Sequence, residues 1–377
     1  MIRSRSDLSH ARRVVVKIGS SLLADVDHGI RQDVIDHLVD ELQGVMKAGM
    51  DVVIVTSGSV ALGRVQLGWL NRTLSVHEKQ AAAAIGQPVL MSAYARAFAR
   101  HGRTVAQMLL TKDDLRNRRR YLNASNTSET LFSAGVVPIV NENDTVVVAE
   151  IKFGDNDSLG ALVSLVVDAD LLVMLTDVEG LYDKNPTKHA DAKRIGVVEH
   201  LNEEHVEMAG DAGSAFGTGG MASKLSAARV ATSGGVSAAI ISGKESGRLS
   251  RLLAGEDEGT LFLCGVDRQT RRKHWILEVL SPKGEIHVDV GAQRAIVNQG
   301  SSLLPIGVKD VIGVFDKGAC VEIVGPDGVI ARGLCNYTAE EMRRIMGHGS
   351  GDVAEILGYL DFSSVIHRDN LVLCKEE

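Results

Sequence analysis

Residues 13–21 read RVVVKIGSS, a short β-branched run that ends in a lysine, a glycine and two serines. Similar runs recur before residue 245 as DVVIVTSGS, TVAQMLLT, GVVPIVNEN, ADLLVMLTD and VSAAIISG. Because each run is brief, rich in branched residues and apolar on both faces, we predict buried strands. Longer amphipathic segments separate the runs. Strand and helix in alternation predict an α/β fold with a mostly parallel sheet that helices cover on both faces.

Two of the intervening segments are predicted helices. QDVIDHLVDELQGVMKAGM places its apolar residues on one helical face, and Gly49 is positioned to end that helix. The apolar face consists of Ile35, Leu38, Leu42, Val45 and Met46. HEKQAAAAIGQPVLMSAYARAFARHG is the second, and we expect Pro88 to kink it or to divide it in two.

The pattern changes after residue 260, where short runs alternate with turn signals. Lys283-Gly284 and Pro326-Asp327-Gly328 favour turns, and CVEIVGPDGVIARG is typical of a hairpin. The change predicts a small β-rich second domain. We place the catalytic domain at 1–260, a linker at 261–282, the β-rich domain at 283–365 and a C-terminal tail at 366–377.

Length, charge and residue composition limit the classes of protein to which this chain can belong. A length of 377 residues favours two domains, and a formal charge of -7 gives no general attraction to nucleic acid or anionic membranes. The four cysteines form no C-x-x-C pair, and the twelve histidines show no metal-site spacing. Lys17 interrupts the N-terminal apolar run, and no run reaches the roughly 20 residues of a membrane span. We therefore expect a reduced, cytoplasmic protein without a targeting segment.

Polar residues follow several predicted strands at their carboxyl ends, the edge where open α/β sheets bind ligands. These are Lys17-Ile-Gly-Ser-Ser21, Thr56-Ser-Gly-Ser59, Asn141-Glu-Asn-Asp144 and Thr176-Asp177. A single Ser-Gly turn is usually structural, but several on one edge predict a binding site. Asp155-Asn156-Asp157 opens a further helix, where these residues either cap the helix or belong to the site.

The segment GTGGMASK, residues 217–224, places a glycine-rich turn before a predicted helix. Unpaired N–H groups and the helix dipole at such a turn attract phosphate oxygens. The segment matches neither the P-loop nor the dinucleotide pattern, so a surface loop is the alternative. Lys17 favours the phosphate site, because a lysine at the end of a buried strand needs an anionic partner. Lys17 and Lys224 together would place two charges around a transferring phosphoryl group.

Six elements, taken in order, resemble the amino acid kinase family: VVVKIGSS, VIVTSGSVALG, PIVNENDTV, EIKFGDNDSLGA, LTDVEGLY and GTGGMASK. The segment from GSSLLPIGV to ILGY resembles a PUA domain. NENDTV and GDNDSLGA, with the PUA-like segment, are most similar to the family members that phosphorylate glutamate. The resemblance covers roughly residues 11 to 370 and implies an amino acid kinase fold for the first domain.

The resemblance also implies roles for individual residues. Lys17 and Lys224 would contact the ATP phosphates and stabilise the transition state, and Asp157 would hold both lysines in place. Glutamate would be bound by Ser57, Asp144 and Asn156. The implied nucleotide-binding residues are Lys17, Thr176, Asp177, Thr218, Gly219, Gly220, Met221, Ala222, Ser223 and Lys224. No side chain is assigned as a metal ligand, because Mg²⁺ would travel on the nucleotide phosphates.

The implied reaction is ATP-dependent phosphorylation of the side-chain carboxylate of L-glutamate to L-glutamyl 5-phosphate, the first step of proline synthesis. The resemblance further implies a homotetramer and feedback inhibition by proline at or near the glutamate site. One alternative is a family member with a different acceptor. Another is an RNA-associated regulator that acts through the PUA-like domain. Residues 283–377 contain 9 Lys and Arg against 14 Asp and Glu, a net of 9 - 14 = -5, which disfavours RNA binding.

Overall fold

The computed structural model describes residues 2–25, 29–70, 72–146, 156–203, 205, 208, 220–265, 280–360 and 362–374. For residues 118 and 119 it describes the backbone alone. The chain divides into two compact units. The first contains Met1–Leu115 and Asn123–Asp267, and the second contains Arg116–Leu122 and Arg268–Glu377.

The first unit is built on a large sheet. Its strands are β1 Arg13–Ile18, β2 Ala24–Asp25, β3 Gly29–Ile30, β4 Asp51–Val55, β5 Val105–Leu110, β6 Val137–Glu142, β7 Leu171–Thr176, β8 Val197–Val198, β9 Ser237–Ser242 and β10 Thr260–Phe262. Eight of them pair in the order β5-β6-β4-β1-β7-β9-β10-β8, and β2 pairs with β3 alone. Neighbours in the large sheet are parallel, except that β9 and β10 are antiparallel. The mostly parallel sheet predicted from the sequence is confirmed.

Burial explains why these segments form strands. Every residue of β6, β7 and β9 is buried, as are all residues of β1 after Arg13. Strands that are buried on both faces need helices above and below the sheet. The described helices that lie wholly or mainly in this unit are Ser20–Leu23, Gln32–Lys47, Ser59–Gln66, Val76–Ala99, Lys112–Arg116, Arg118–Ser133, Asn156–Val166, Met221–Ser233 and Arg248–Leu253, with a 3₁₀ helix at Arg5–His10.

The helix Gln32–Lys47 buries the apolar face predicted for it and ends at Ala48, next to Gly49 at φ +91°. The helix Val76–Ala99 runs without a break through Pro88, so of the two expected outcomes, a kink or a division, the division does not occur. Buried residues lie on both sides of Pro88, including Gly86 and Leu90. Tertiary packing around the proline outweighs the loss of one backbone hydrogen bond.

Two glycines set the spacing between the helices Ser59–Gln66 and Val76–Ala99. A Cβ atom on Gly63 would lie 1.8 Å from the carbonyl oxygen of Ala82, and one on Gly86 would lie 1.9 Å from that of Ser59. Real atoms do not approach so closely, so backbone meets backbone at this crossing. The contact fixes the start of the Ser59–Gln66 helix against the longer helix.

The second unit has a five-stranded sheet in the order β12-β11-β13-β14-β15. Its strands are β11 Gly284–Val288, β12 Val308–Gly313, β13 Cys320–Gly325, β14 Gly328–Leu334 and β15 Leu371–Leu373. Strands β13 and β14 are antiparallel, which confirms the hairpin predicted around Pro326-Asp327-Gly328. Helices lie at Val290–Gln299, Ala339–Ile345 and Val353–Leu357, with 3₁₀ helices at Pro305–Gly307 and Arg368–Asn370. No helix among the described residues is long and apolar enough to span a membrane.

Candidate active site

The carboxyl ends of four neighbouring parallel strands carry the polar residues singled out in the sequence. The strands β6, β4, β1 and β7 are adjacent in the sheet, so their carboxyl ends lie along one edge. Lys17 lies near the end of β1, Thr56 and Ser57 follow β4, and Thr176 ends β7. This is the edge at which ligands bind in open α/β sheets.

Lys17 and Lys224 converge on one buried carboxylate. Lys17 Nζ donates to Asp157 Oδ1, and Lys224 Nζ lies 3.3 Å from Asp157 Oδ2. Ser223 Oγ also donates to Asp157 Oδ2, at 3.1 Å. The exposed fraction is 6% for each lysine and 1% for Asp157. A carboxylate shared by two ammonium groups holds both amines on the same side of the sheet edge, as a charge-paired and hydrogen-bonded unit.

Gly160 makes room for the lysine on β1. A Cβ atom at this position would lie 3.3 Å from Lys17 Cβ and 3.4 Å from Lys17 Cγ, closer than most real contacts. The aliphatic stem of Lys17 therefore passes directly over the backbone of the Asn156–Val166 helix. Glycine at this point leaves room for the lysine stem, whose ammonium group reaches Asp157.

Two helices begin beside this cluster. The helix Asn156–Val166 has Asn156 and Asp157 in its first turn, and Gly220 caps the helix Met221–Ser233, whose first turn contains Ser223 and Lys224. Helix N-termini offer unpaired N–H groups and a positive dipole end, which attract anions. The predicted nucleotide residues Met221 and Ala222 share that turn, whereas Thr218 and Gly219 lie outside the described residues.

Thr176 and Asp177 end β7 at the same edge. Thr176 is buried and its Oγ1 donates to Asp177 Oδ1 at 3.1 Å, while Asp177 itself is exposed. Neither residue has a hydrogen bond to Lys17 or Lys224 among the described contacts. The sheet order nevertheless places β7 directly beside β1, so the two residues lie next to the lysine strand.

Asn156, which precedes Asp157, contacts residues at the ends of β4 and β6, including the predicted glutamate-binding residue Ser57. Its Nδ2 donates to the carbonyl oxygen of Thr56 at 2.7 Å, to Ser57 Oγ at 3.0 Å and to Asn141 Oδ1 at 3.0 Å. The structure thus brings Ser57 and Asn156 together. Asn156 directly precedes Asp157, so the amide and the carboxylate that accepts from the two lysines belong to the same helical turn.

Asp144, the third predicted acceptor residue, is half-buried after β6. It accepts a hydrogen bond from Ser59 Oγ at 2.9 Å. Burial raises the pKa of the Asp144 carboxyl, and the hydrogen bond from Ser59 opposes that shift to a smaller extent. Ser59 starts its helix after Gly58, whose φ of +102° makes the turn that glycine adopts readily. Asp144 therefore faces the same β4 loop as Ser57.

One buried amide in this region, that of Gln87, was missed in the sequence. Asn141 Nδ2 donates to Gln87 Oε1 at 2.8 Å, which extends the hydrogen-bond network from Asn156 into the helix Val76–Ala99. Gln87 lies in an alanine-rich stretch without a clear polar or apolar face. The sequence signal that would have found it is a lone glutamine beside a proline in a buried helix.

The arrangement can bring an anionic acceptor and a nucleotide phosphate to the same place. Cationic groups and helix N-termini lie on one side, and polar uncharged groups with one carboxylate lie on the other. Both oxygens of Asp157 accept hydrogen bonds, Oδ1 from Lys17 and Oδ2 from Lys224 and Ser223. Among the residues that the structure describes, no group of three His, Cys, Asp or Glu could hold a metal ion.

Comparison with known proteins agrees with this architecture. Residues 12–242 match the profile of the amino acid kinase family, and residues 284–357 match the PUA domain. The chain is 50% identical to a protein named glutamate 5-kinase from Trichlorobacter lovleyi, over 98% of each chain. Proteins of the same name from Geobacter sulfurreducens (50% identical, 97% and 98% covered) and Thioalkalivibrio sulfidiphilus (46% identical, 99% and 100% covered) are also similar. This chain belongs to the amino acid kinase family.

Proposed function

We propose that the protein transfers the γ-phosphoryl group of ATP to the side-chain carboxylate of L-glutamate, giving L-glutamyl 5-phosphate and ADP. The observation that carries the proposal is the convergence of Lys17 and Lys224 on Asp157. The choice of glutamate is supported by relatives of that name that match the chain over nearly its whole length. The reaction is the first step of proline synthesis.

The chemistry suits a site without a general base. A glutamate side-chain carboxyl has a pKa of about 4.3, so it is already an anionic nucleophile at neutral pH. One carboxylate oxygen forms a bond to the γ-phosphorus, and the bond from that phosphorus to the β,γ-bridging oxygen breaks as ADP leaves. The principal barrier is repulsion between two anions. Two fixed ammonium groups oppose that repulsion and stabilise the charge that develops during transfer.

The nucleotide is proposed to bind where the helix Met221–Ser233 begins. The backbone from Gly220 to Lys224 would face the phosphates, with Thr176 and Asp177 beside β1 and Thr218 and Gly219 completing the contact. Mg²⁺ would neutralise phosphate charge, entering on ATP and retaining most of its water ligands.

The acceptor is proposed to lie between Ser57, Asn156 and Asp144. The first two are already joined by a hydrogen bond, and Asp144 is held by Ser59 from the same loop. A carboxylate here would attract the ammonium group of an amino acid. Placing glutamate at this point directs its side-chain carboxylate towards Asn156 and the neighbouring lysine pair.

The proposal extends to the whole chain. We assign a catalytic domain to 1–260, a linker to 261–282, a PUA domain to 283–365 and a C-terminal tail to 366–377. Feedback inhibition by proline at or near the glutamate site, a homotetramer and a cytoplasmic location follow from the resemblance to glutamate-phosphorylating family members. The net charge of -5 over residues 283–377 disfavours RNA as a partner.

The decisive experiment measures ADP release from ATP with glutamate, aspartate, acetylglutamate, carbamate or UMP as the acceptor. Hydroxylamine in the same reaction traps an acyl phosphate as its hydroxamate. We expect ADP release to depend on glutamate and a glutamyl hydroxamate to accumulate. ADP release that depends on another acceptor would assign the site to a different substrate, and no acceptor-dependent release would refute a kinase function.

A further inference from the structure

Gln87 is a buried glutamine beneath the loop that carries the predicted acceptor residues. Its exposed fraction is 9%. The preceding residue, Gly86, lies against the backbone of Ser59, and further along the same helix the Tyr94 hydroxyl lies 3.1 Å from Thr56 Oγ1. These two contacts place the helix segment that contains Gln87 directly under the loop from Thr56 to Ser59.

Backbone groups fix the orientation of the amides that lead to Gln87. The Thr56 carbonyl oxygen only accepts, so it must face Asn156 Nδ2. Asn141 Oδ1 accepts from Asn156 Nδ2 and from the backbone N–H of Glu142 at 2.9 Å. The remaining end of that amide, Asn141 Nδ2, is therefore a donor pointing at Gln87.

These hydrogen bonds determine which atom of the Gln87 side-chain amide has no hydrogen-bond partner. Gln87 Oε1 must be the atom that accepts from Asn141 Nδ2, at 2.8 Å, because rotating the amide by half a turn would bring two donors together. Gln87 Nε2 is then buried with no hydrogen-bond partner in the described part of the chain. Buried donors without partners are rare in folded proteins, and those that occur call for a specific explanation.

We propose that Gln87 Nε2 donates a hydrogen bond to the α-carboxylate of the acceptor amino acid, which makes Gln87 a substrate-binding residue. This inference rests on the proposed glutamate kinase function. The donor is held in place by a network that ends on the backbone, so it is fixed before the substrate binds. Its immediate neighbours in that network, Asn141 and Asn156, lead directly to Ser57.

The chemistry of the substrate favours the α-carboxylate as the partner. Glutamate has two groups that accept strongly, its two carboxylates. The side-chain carboxylate must lie beside Lys17 and Lys224 for phosphoryl transfer, which leaves the α-carboxylate for another donor. A neutral amide hydrogen-bonds a carboxylate without adding charge, so it selects for position rather than for net charge.

The test replaces one atom. Gln87→Glu keeps an oxygen for Asn141 Nδ2 and exchanges the unpartnered NH₂ group for an oxygen. The probe is 4-aminobutyrate, which is glutamate without its α-carboxylate, measured as a competitive inhibitor. We expect the KM for glutamate to rise about ten- to a hundredfold, the range for a lost hydrogen bond to a charged group. The KM for ATP and the Ki of 4-aminobutyrate should stay within about twofold of the wild-type values.

Gln80→Glu is the matched control, because it makes the same change on the same helix where Gln80 contacts His77 near the surface. We expect wild-type constants from that variant. If Gln87→Glu does not fold, Gln87→Met tests the same donor with a side chain of similar volume, and the same difference between glutamate and 4-aminobutyrate is expected.

Two results would overturn the proposal. A glutamate KM within twofold of wild type would mean that Gln87 Nε2 does not contact the substrate. Equal weakening of glutamate and 4-aminobutyrate would mean that the substitution only disturbs the fold of the site. The wild-type enzyme in the same assay separates these results from failure of the proposed function. If the proposed function is wrong, the wild-type enzyme forms no glutamyl hydroxamate, and the inference about Gln87 is then also wrong.

Discussion

Lys224 Nζ lies 3.3 Å from Asp157 Oδ2, while the other oxygen of the same carboxylate accepts a hydrogen bond from Lys17. A strand near the start of the chain and a helix far along it thus deliver amines to one buried acid. Because the acid lies in the first turn of a third element, the Asn156–Val166 helix, the geometry depends on all three being correctly packed.

Removing either amine should slow phosphoryl transfer. We expect Lys17→Ala or Lys224→Ala to lower kcat by about two to three orders of magnitude, the scale for losing one preorganised electrostatic donor. ADP release at saturating glutamate and ATP measures the effect. Lys47→Ala is the control, since that lysine is exposed at the end of its helix and should leave kcat unchanged. Near-normal turnover in either variant would remove that lysine from the mechanism.

Asp144 should affect the acceptor and not the nucleotide. We expect Asp144→Ala to raise the KM for glutamate about tenfold or more, because the variant loses a carboxylate that attracts the substrate ammonium group. The KM for ATP should change by less than about twofold. Steady-state kinetics with each substrate varied in turn makes the comparison, and Asp191→Ala, at an exposed aspartate, is the control. Equal changes in both constants would indicate a structural role.

The raised pKa of Asp144 predicts a pH dependence. Burial disfavours the ionised form, so the carboxyl takes up a proton at a higher pH than the ordinary aspartate value of about 3.9. We expect the KM for glutamate to rise as the pH falls, and to begin rising at a higher pH than an ordinary aspartate would produce, as Asp144 loses its charge. Asp144→Asn should show a high KM with a weaker pH dependence. Glutamate itself titrates in both proteins, so a matching pH profile for the two would show that Asp144 is not the titrating group.

Gly160 should be required for rapid phosphoryl transfer, although alanine at this position would increase the intrinsic stability of the helix. Gly160→Ala adds a methyl group 3.3 Å from Lys17 Cβ, which must displace the lysine stem by a few tenths of an ångström. We expect kcat to fall about tenfold, because small misplacements of a catalytic group are costly. Gly44→Ala is the matched control, as a Cβ atom there meets nothing within 4 Å. That control should gain roughly 0.5–1 kcal/mol in urea unfolding, with unchanged kcat. Wild-type turnover by Gly160→Ala would show that Lys17 tolerates the displacement.

The parallel sheet could be predicted from the sequence because its strands are short runs of β-branched residues, such as Val14 to Val16. It also predicted that Lys17 and Lys224 share a site, since strand ends and a helix start belong on one edge. The bond from each amine to Asp157 came from the resemblance and not from any periodicity. Local patterns do not specify which of several acidic residues a lysine will meet.

Other features depend on contacts that no local pattern encodes. The sequence left open whether Pro88 kinks or divides its helix, and the helix is not divided because residues on both sides of the proline are buried in the core. Strand β10 runs antiparallel to its neighbour β9, and nothing in its three residues signals that direction. The network from Asn156 through Asn141 to Gln87 joins residues on three elements, and the direction of each amide follows only from the backbone groups at its ends.

The backbone contact at Gly63 and Gly86 has a mechanical consequence. No side chain separates the two helices at this crossing, so no rotamer change there can absorb a displacement. We therefore expect a shift of one helix to shift the other. Ser59 rides on the first helix and Gln87 on the second. We therefore expect the residues of the proposed glutamate site on these two helices to move together. A regulator that changes the affinity for glutamate would have to displace both helices.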